Sequence, residues 1–454
     1  MATSPSRRER IIGKKMLNLF ERNDQKALDL LASLKKADIL APTVFIEDDG
    51  FLPKDSESPF SYFADLKKSG RPRYFNEIKV PRYYEISGTN DHALVSYYGT
   101  TKAVIEYALP KEKRLVKAVS WLDLNGKVRC IDHYDQYGNR FAQSVLDESE
   151  KLILKTYFDR NGREVIVQNF ITQDIILERE HKITTFNNLT EFIVFYLKER
   201  GFNLDKIYFN SLSYPFFVVT QLKAKGEDVL FWQEPLTNNI PGNMQVILDE
   251  KVPRVKKIVI QDEATYKTAL ALTNDSPYFT KLGYIYAQKR SNRGRKQIFI
   301  LTNSDQLEQI KPLIAQLPDF KFHIAALTEM STRLLALGQM QNVSLYQNAS
   351  LKELETLWQA NDIYLDINHH QELLNAVRKA FENEMLILAF ENTVHDKNFI
   401  ASENIYAPSE AKKLGEKLQK AFSEPHYLAE LLTKQRKQAQ TESKASYRER
   451  LGFK

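Results

Sequence analysis

Apolar positions change period within the first fifty residues. Ala27, Leu28, Leu31 and Leu34 recur at helical spacing. Thr43-Val44-Phe45-Ile46 is instead a short apolar run stopped by Glu47-Asp48-Asp49-Gly50. The pair predicts a helix, a buried strand and a polar loop. From about 80 to 185 the texture becomes short alternating runs parted by turn signals. Leu122-Asp123-Leu124-Asn125-Gly126-Lys127, Tyr134-Asp135-Gln136-Tyr137-Gly138-Asn139 and Phe158-Asp159-Arg160-Asn161-Gly162-Arg163 share one pattern: an apolar residue, Asp, two residues, Gly and a polar residue. Asn and Gly tolerate positive φ, which suits tight hairpins, and the flanking Val, Ile, Tyr and Phe are strand formers. The pattern predicts an antiparallel meander of about eight strands.

From 186 onward helices and strands alternate, which predicts parallel sheets wrapped by helices. The helix 189–199, the strand 206–210, a helix from Pro215 to Ala224, the strand 228–232, a helix opened by Pro241-Gly242-Asn243-Met244, the strand 257–260 and the helix 264–272 complete one unit. Ala287 to Lys296 holds five basic residues and no aliphatic beyond Ala287, which marks it as the linker. A second unit has strands at 297–301, 320–326, 343–346, 363–367 and 385–390, followed by a basic helical tail. The expected fold is α/β, two Rossmann-like lobes with an antiparallel β-sheet insertion in the first. Its divisions are a basic extension (1–15), a first lobe (16–60 and 186–285), an inserted meander (61–185), a second lobe (297–408) and C-terminal helices returning to the first lobe (409–454).

Composition narrows the chemistry. A net charge of +6 over 454 residues gives no case for nucleic acid. Cys130 is the only cysteine, so an internal disulfide and a multi-cysteine zinc site are excluded. No run approaches the ~18 apolar residues of a spanning helix, and no apolar segment follows Met1 as a signal peptide requires. The expected compartment is the cytoplasm. Arg7, Arg8, Arg10, Lys14 and Lys15, opposed by Glu9 alone, leave peripheral contact with the inner face of the membrane open. In that reading Ile11, Ile12, Met16, Leu19 and Phe20 share a helical face that could lie on anionic lipid.

No Gly-rich dinucleotide or P-loop motif, H-E-x-x-H pair or G-x-S-x-G elbow occurs, so no cofactor or metal is expected. Asn368-His369-His370 follows a predicted strand at the carboxyl edge, where parallel sheets bind ligands. It reads as a base or phosphate contact, or as a polar loop capping the next helix, the second being favoured. His133 reads as a plain sheet-face residue, and Glu47-Asp48-Asp49 as a solvated loop rather than a metal or base site. The 22 Tyr and 26 Phe are core residues taken singly. Taken together, those of the meander suit a groove for an extended polypeptide held at sheet edges.

Several stretches then carry a resemblance. They are Thr43 to Pro53, Ser58-Pro59-Phe60, Phe231-Trp232-Gln233-Glu234, Ile240 to Gln245, Leu301 to Gln306, Ala325 to Ser331 and Tyr364 to His370. In this order, from about Met16 to about Arg448, the chain resembles the GtfB family. These are the stabilising, co-chaperone-like subunits of the O-GlcNAc transferase of the Gram-positive accessory Sec system. The resemblance implies a GT-B fold and a partner, GtfA, that transfers N-acetylglucosamine from UDP-GlcNAc to Ser and Thr of serine-rich repeat adhesins. It also implies a subunit without activity of its own that helps hold the unfolded acceptor.

Active relatives of this GT-B class place two glutamates eight residues apart around a Gly-rich turn. Anchoring Leu386-Ile387-Leu388-Ala389-Phe390 on its counterpart and reading back without gaps puts Gln371 and Lys379 at those positions. The turn becomes Glu372-Leu373-Leu374, without glycine and with a charge that repels an anionic donor. The rival, an active retaining transferase using UDP-GlcNAc, lacks its acid pair. Asn368, His369, His370, Trp232, Glu234 and Asn243 are the candidates for contact with the acceptor.

Overall fold

The structure, a computed structural model, describes residues 16–66 and 68–453. Leu17–Phe20 is a strand buried at all four positions. It lies inside a seven-stranded parallel sheet ordered Phe279–Lys281, Val255–Ile260, Asp228–Trp232, Ile207–Phe209, Leu17–Phe20, Thr43–Phe45, Ser56–Glu57. The helical face expected to hold Met16, Leu19 and Phe20 is therefore corrected. A strand covered on both faces is apolar at nearly every position, and Leu19 and Phe20 are fully buried. Ile11, Ile12 and the basic residues of 1–15 lie outside the described residues. Asn18, the polar exception, donates to Thr43 Oγ1 at 3.1 Å.

The helix Gln25–Lys36 starts where Asp24 accepts the Ala27 amide, and it buries Ala27, Leu30, Leu31 and Leu34. Leu30 thus takes the inward place that the sequence reading gave to Leu28. The strand Asp228–Trp232 begins with a fully buried carboxylate. Arg254 Nε donates to Asp228 Oδ2 at 2.8 Å and the Ile207 amide to Oδ1 at 2.8 Å. Burial pushes the Asp228 carboxyl up to about 6 against these partners.

The meander has ten strands, from Glu85–Gly88 to Lys182–Phe186, each paired antiparallel with its neighbours in sequence. In the three glycine turns, the Asp123, Asp135 and Asp159 Oδ1 atoms each accept two backbone amides, two and four residues on. Asp147 does the same for Ser149 and Lys151, but Glu150 (φ 60°) stands where the others have glycine. The turn after Asn169 likewise uses Gln173 at φ 70°. Turns without glycine are hard to see in sequence, so the expected count of about eight strands falls short. His133 lies on a strand as expected, its Nε2 2.8 Å from Ser144 Oγ, and burial lowers its pKa to about 3.

Each half of this sheet buries a face. Ala93, Val95, Ala103, Ile105, Val116 and Val119 pack with Ile78 and Phe75. Farther along, Phe141, Tyr157, Ile166, Ile175 and Phe186 join one core with Phe60, Phe63 and Phe192 of the first lobe.

A second unit comprises Gly283–Ser446, while Tyr447 onward belongs with the first. Its six-stranded parallel sheet is ordered Val343–Tyr346, Lys321–Ala326, Gln297–Thr302, Ile363–Asp366, Leu386–Phe390, Ile405–Tyr406. The helices Ala411–Ser423 and Pro425–Gln438 bury Leu414, Leu418, Leu428 and Leu431 in this unit's core. The expectation that the tail from 409 returns to the first lobe therefore holds only for its end.

The 287–296 segment is not a free linker. Asp362 is fully buried and accepts Arg290 Nη1 at 2.6 Å, Arg295 Nη2 at 2.8 Å, and the Arg293 and Arg295 amides at 3.1 and 2.8 Å. Burial opposes its charge, but Arg295 and Arg290 hold its carboxyl below the usual range. The basic run reads as a linker because its partner lies ~70 residues away in sequence, beyond the reach of local patterns.

Gly126 and Gly138 share positive φ (79° and 87°), but only at Gly138 would a Cβ meet a backbone atom, Arg71 O at 2.7 Å. Gly126→Ala should cost about 1–2 kcal/mol from φ alone, and Gly138→Ala measurably more. Chemical denaturation of both variants checks the order; equal losses would mean that the 71–73 segment gives way freely.

Candidate functional site

Strand order reverses once in each parallel sheet, between Leu17–Phe20 and Ile207–Phe209 and between Gln297–Thr302 and Ile363–Asp366. Such a reversal opens a crevice at the carboxyl ends where ligands bind. In the second unit Asn368 sits there and its amide is consumed by its own loops. Thr302 Oγ1 donates to Asn368 Oδ1 at 2.9 Å, and Asn368 Nδ2 reaches Asn303 Oδ1 at 3.0 Å and the His370 carbonyl at 3.2 Å. His369 and His370 are exposed, with His369 Nε2 2.7 Å from Glu308 Oε2.

The group that fixes this loop is His395, which the sequence reading missed. Its Nδ1 donates to Asp366 Oδ1 at 2.5 Å and its Nε2 to the His370 carbonyl at 2.6 Å. Burial works against the imidazolium, but the hydrogen bond and charge of Asp366 outweigh it, and the His395 pKa stands at about 9. Asp366 Oδ2 also accepts the His395 amide at 2.8 Å. Asp366 lies inside one of the stretches that carry the resemblance, whereas nothing local marks His395, 29 residues on.

Gln371 is exposed and Lys379 half-buried, on a helix, Ala376–Glu382, that follows two left-handed residues, Leu374 and Asn375. Glu372 Oε1 accepts the Val377 amide at 2.8 Å in the first turn of that helix. Burial raises the Glu372 pKa, while that amide bond favours its charged form.

In the first unit the corresponding reversal is bridged by amides. The Glu21 backbone donates to Asn210 Oδ1 at 3.0 Å, and Asn210 Nδ2 donates to Gln233 Oε1 at 3.1 Å. Trp232, 4% exposed, belongs to the core, and its Nε1 has no partner. Glu234 is exposed, and Asn243 Nδ2 donates to the Leu212 carbonyl at 2.8 Å. The six acceptor candidates thus fall into two groups, one on each sheet's carboxyl edge.

Glu47-Asp48-Asp49 is only partly the solvated loop that was expected. Glu47 pairs with Arg22 at 3.2 Å on the surface. Asp48 is buried, accepts Ser58 Oγ at 2.6 Å and the Gly50 amide at 2.9 Å, and has its pKa raised by burial. A cavity of about 690 Å³ opens beside it, lined by Leu52, Glu57, Asp135, Tyr137, Phe141 and Arg200. Among the described residues no group of three or more His, Cys, Asp and Glu could hold a metal ion. No described helix is long and apolar enough to cross a membrane.

Sequence models of the GtfB N-terminal, middle and third domains match residues 17–63, 84–187 and 189–272. A model of the GftB/GlyA-F C-terminal domain matches 298–435. A UDP-N-acetylglucosamine–peptide N-acetylglucosaminyltransferase stabilizing protein GtfB of Streptococcus agalactiae is 42% identical over 96% of this chain and 99% of its own. The chain belongs to the GtfB family. A chain in the crystal structure of a GtfA/B complex bound to UDP and GlcNAc superposes with TM-score 0.91 at 43% identity, over 96% of this chain and 99% of that one. The pneumococcal O-GlcNAc transferase GtfA, in complex with UDP and GlcNAc, shares the fold at TM-score 0.51 and 12% identity, over 97% and 98% of the two chains. This GtfB-family chain therefore combines the fold of a transferase with a carboxyl edge that, in the second unit, is tied up by its own side chains.

The Asp366–His395 pair predicts a pH dependence. A folded pKa of about 9 exceeds the ordinary imidazole value near 6.5, so the pair's contribution is complete below ~6.5 and is lost as pH rises toward about 9. Asp366→Asn should return His395 toward ordinary titration and remove on the order of 2 kcal/mol at pH 6, with little change at pH 9.5. Imidazole NMR titration and denaturation at both pH values check it. An equal loss at both would place the effect in Asp366's other hydrogen bonds.

Proposed function

We propose that this chain is the non-catalytic, stabilising and acceptor-binding subunit of a UDP-GlcNAc:polypeptide O-GlcNAc transferase complex. Its GT-B-like body, two Rossmann-like lobes with an inserted sheet, pairs with a GtfA subunit that carries the chemistry. The complex adds the first sugar to Ser and Thr of serine-rich repeat adhesins before accessory Sec export.

One observation carries the non-catalytic half. The helix start that would receive a sugar-nucleotide diphosphate already holds a carboxylate of this chain, Glu372 on the Val377 amide. Helix-end amides favour anions, and here the anion is built in. Gln371 and Lys379 supply no acid pair beside it. The rival reading, an active retaining transferase using UDP-GlcNAc, has no group at these positions for its chemistry.

The acceptor-binding half rests on the nature of the substrate. A Ser/Thr-rich polypeptide is disordered, and ordering each residue costs ~1–2 kcal/mol. A second subunit holding the flanking chain makes later encounters intramolecular, at effective concentrations up to the millimolar range. Exposed His369, His370 and Glu234, with Asn243, are the reachable contacts; Asn368 holds the loop that presents the two histidines.

The isolated chain should transfer no sugar from UDP-GlcNAc to a Ser/Thr-rich peptide. Added to GtfA, it should lower the apparent KM for long multi-site acceptors far more than for a one-serine peptide. Steady transfer by the isolated chain would end the non-catalytic reading. An equal gain at every acceptor length would leave only stabilisation of the partner.

Membrane contact is proposed to run through basic residues rather than an apolar helix face. A groove of about 1180 Å³ at the amino-terminal edge of the first sheet is lined by Met16, Lys223, Lys225, Lys251 and Lys256. The basic residues of 1–15 precede Met16 directly in sequence. Sedimentation with vesicles containing phosphatidylglycerol should weaken steeply with salt, and Lys223→Glu with Lys225→Glu should reduce it. Binding indifferent to both would withdraw the contact.

A further inference from the structure

The groove at the amino-terminal edge of the first sheet is built outward from one buried ion pair. Asp228 is fully buried, and Arg254 Nε donates to its Oδ2 at 2.8 Å. The terminal nitrogens of the same guanidinium gather carbonyls. Nη1 donates to Ala224 at 2.5 Å and to Lys225 at 3.0 Å, and Nη2 donates to Leu204 at 2.6 Å. A guanidinium is planar and holds its donors in a fixed fork, so the loop that leads into the strand Asp228–Trp232 is pinned. Gly226 completes the fit, because a Cβ there would stand 2.4 Å from the Arg254 guanidinium.

The pinned loop presents positive charge. Lys223 and Lys225 project from it, and Lys256 from the neighbouring strand; all three are exposed and line the groove. Among the described residues their ammonium groups have no hydrogen bond or ion pair. Lys206 lines the same groove half-buried. Burial lowers its pKa, the like charge of Lys257 adds to this, and Glu227 opposes it. With Arg254 paired to Asp228 and Lys251 to Asp249 at 3.0 Å, four lysines face two carboxylates, Asp205 and Glu227. The groove is therefore short of negative charge. One wall is apolar, formed by the half-buried Leu222, Val246 and Phe453.

We propose that this groove holds the phosphate of an anionic glycerophospholipid, with the first methylenes of its chains against Leu222, Val246 and Phe453. The inference rests on the membrane-contact reading above and turns a diffuse attraction into a site. A phosphodiester carries one negative charge on two free oxygens, and ammonium groups bind it as point charges from several sides. Diffuse attraction to an anionic surface needs only lysines near the bilayer. A loop held by a buried guanidinium and set beside an apolar wall supplies shape as well. Inorganic phosphate would use the lysines and leave that wall wet, whereas a lipid covers both.

Position supports the assignment. The groove opens at the amino ends of the strands, while Trp232, Glu234 and Asn243 lie at or beyond the carboxyl ends. The strand Asp228–Trp232 is five residues long, which at ~3.3 Å per residue separates the two edges by about 16 Å. A lipid held at one edge leaves the other clear for the acceptor.

The test uses the full chain and calorimetry with three soluble probes: dihexanoyl phosphatidylglycerol below its micelle concentration, glycerol 3-phosphate and inorganic phosphate. Sedimentation with vesicles of phosphatidylcholine and phosphatidylglycerol runs beside it. Lys225→Gln with Lys256→Gln removes two groove charges. Lys311→Gln with Lys352→Gln, at exposed positions of the second unit, makes the same change in net charge elsewhere. One dihexanoyl lipid should bind per chain, at least fivefold tighter than glycerol 3-phosphate. The groove variant should weaken lipid and vesicle binding at least tenfold with Tm unchanged, and the control variant should stay within twofold of wild type. Equal losses in the two variants overturn the site and leave the membrane contact as diffuse charge. Phosphate or glycerol 3-phosphate binding as tightly as the lipid overturns the lipid assignment. A wild-type chain that binds no probe and no anionic vesicle overturns both the site and the membrane contact.

Discussion

Phe60 lies flat on Tyr157, with ring centroids 4.3 Å apart and planes within 11°. That contact seats a ten-stranded sheet on the first lobe. A meander of this size has two faces and two edges to dispose of, and a sheet with neither face buried is not stable in water. Phe60, Phe63, Phe186 and Phe192 cluster around Tyr157 within one core. The polar surround of this joint is equally specific. Ser58 caps the short helix Pro59–Phe63 while donating to Asp48, and Glu57 accepts Tyr196 Oη and Arg200 Nε, each at 2.7 Å. The stretch from Thr43 to Phe60 thus shapes a junction, and Asp48, the buried one of its three adjacent carboxylates, has structural work there.

Charge is placed differently at the two ends of the parallel sheets. At the amino ends, Asp228 and Asp362 are fully buried and paired with arginine. Removing one partner of such a pair is strongly destabilising, because the other charge is left buried alone. At the carboxyl ends, the first unit presents neutral amides, Asn210, Gln233 and Gln261. The second unit ties its loops with Asp366, His395 and Asn368. An active sugar-nucleotide site needs carboxylates free to act and amides free to receive phosphate. Here the carboxylates Glu308, Asp366 and Glu372 are engaged with the chain itself. Such an edge is suited to presenting a fixed surface.

Legibility in the sequence followed the range of the interactions. The parallel strands at 228–232 and 343–346 and the Asp-x-x-Gly turns stand out because the forces that form them act within a few residues. The turns at Asp147 and Asn169 were hidden, since Glu150 and Gln173 adopt positive φ where glycine would have announced it. The strand Leu17–Phe20 read as part of a helical face because four residues carry almost no period. Only its neighbours Ile207–Phe209 and Thr43–Phe45, one of them ~190 residues distant, decide its conformation.

The amino-acid sequence by itself determined the α/β class, the inserted antiparallel sheet and the resemblance to the GtfB family. Each depends on residue type, local period or order along the chain. Tertiary structure alone decided that Asp362 binds the basic run 290–295, that His395 fastens the Asn368 loop, that Glu372 meets the Val377 amide, and that Trp232 and Gln261 keep idle polar atoms at one edge. These are statements about which groups become neighbours and which are denied water. A hydrogen bond or an ion pair is set by distances of about 3 Å, and in a chain of 454 residues those distances are fixed by packing.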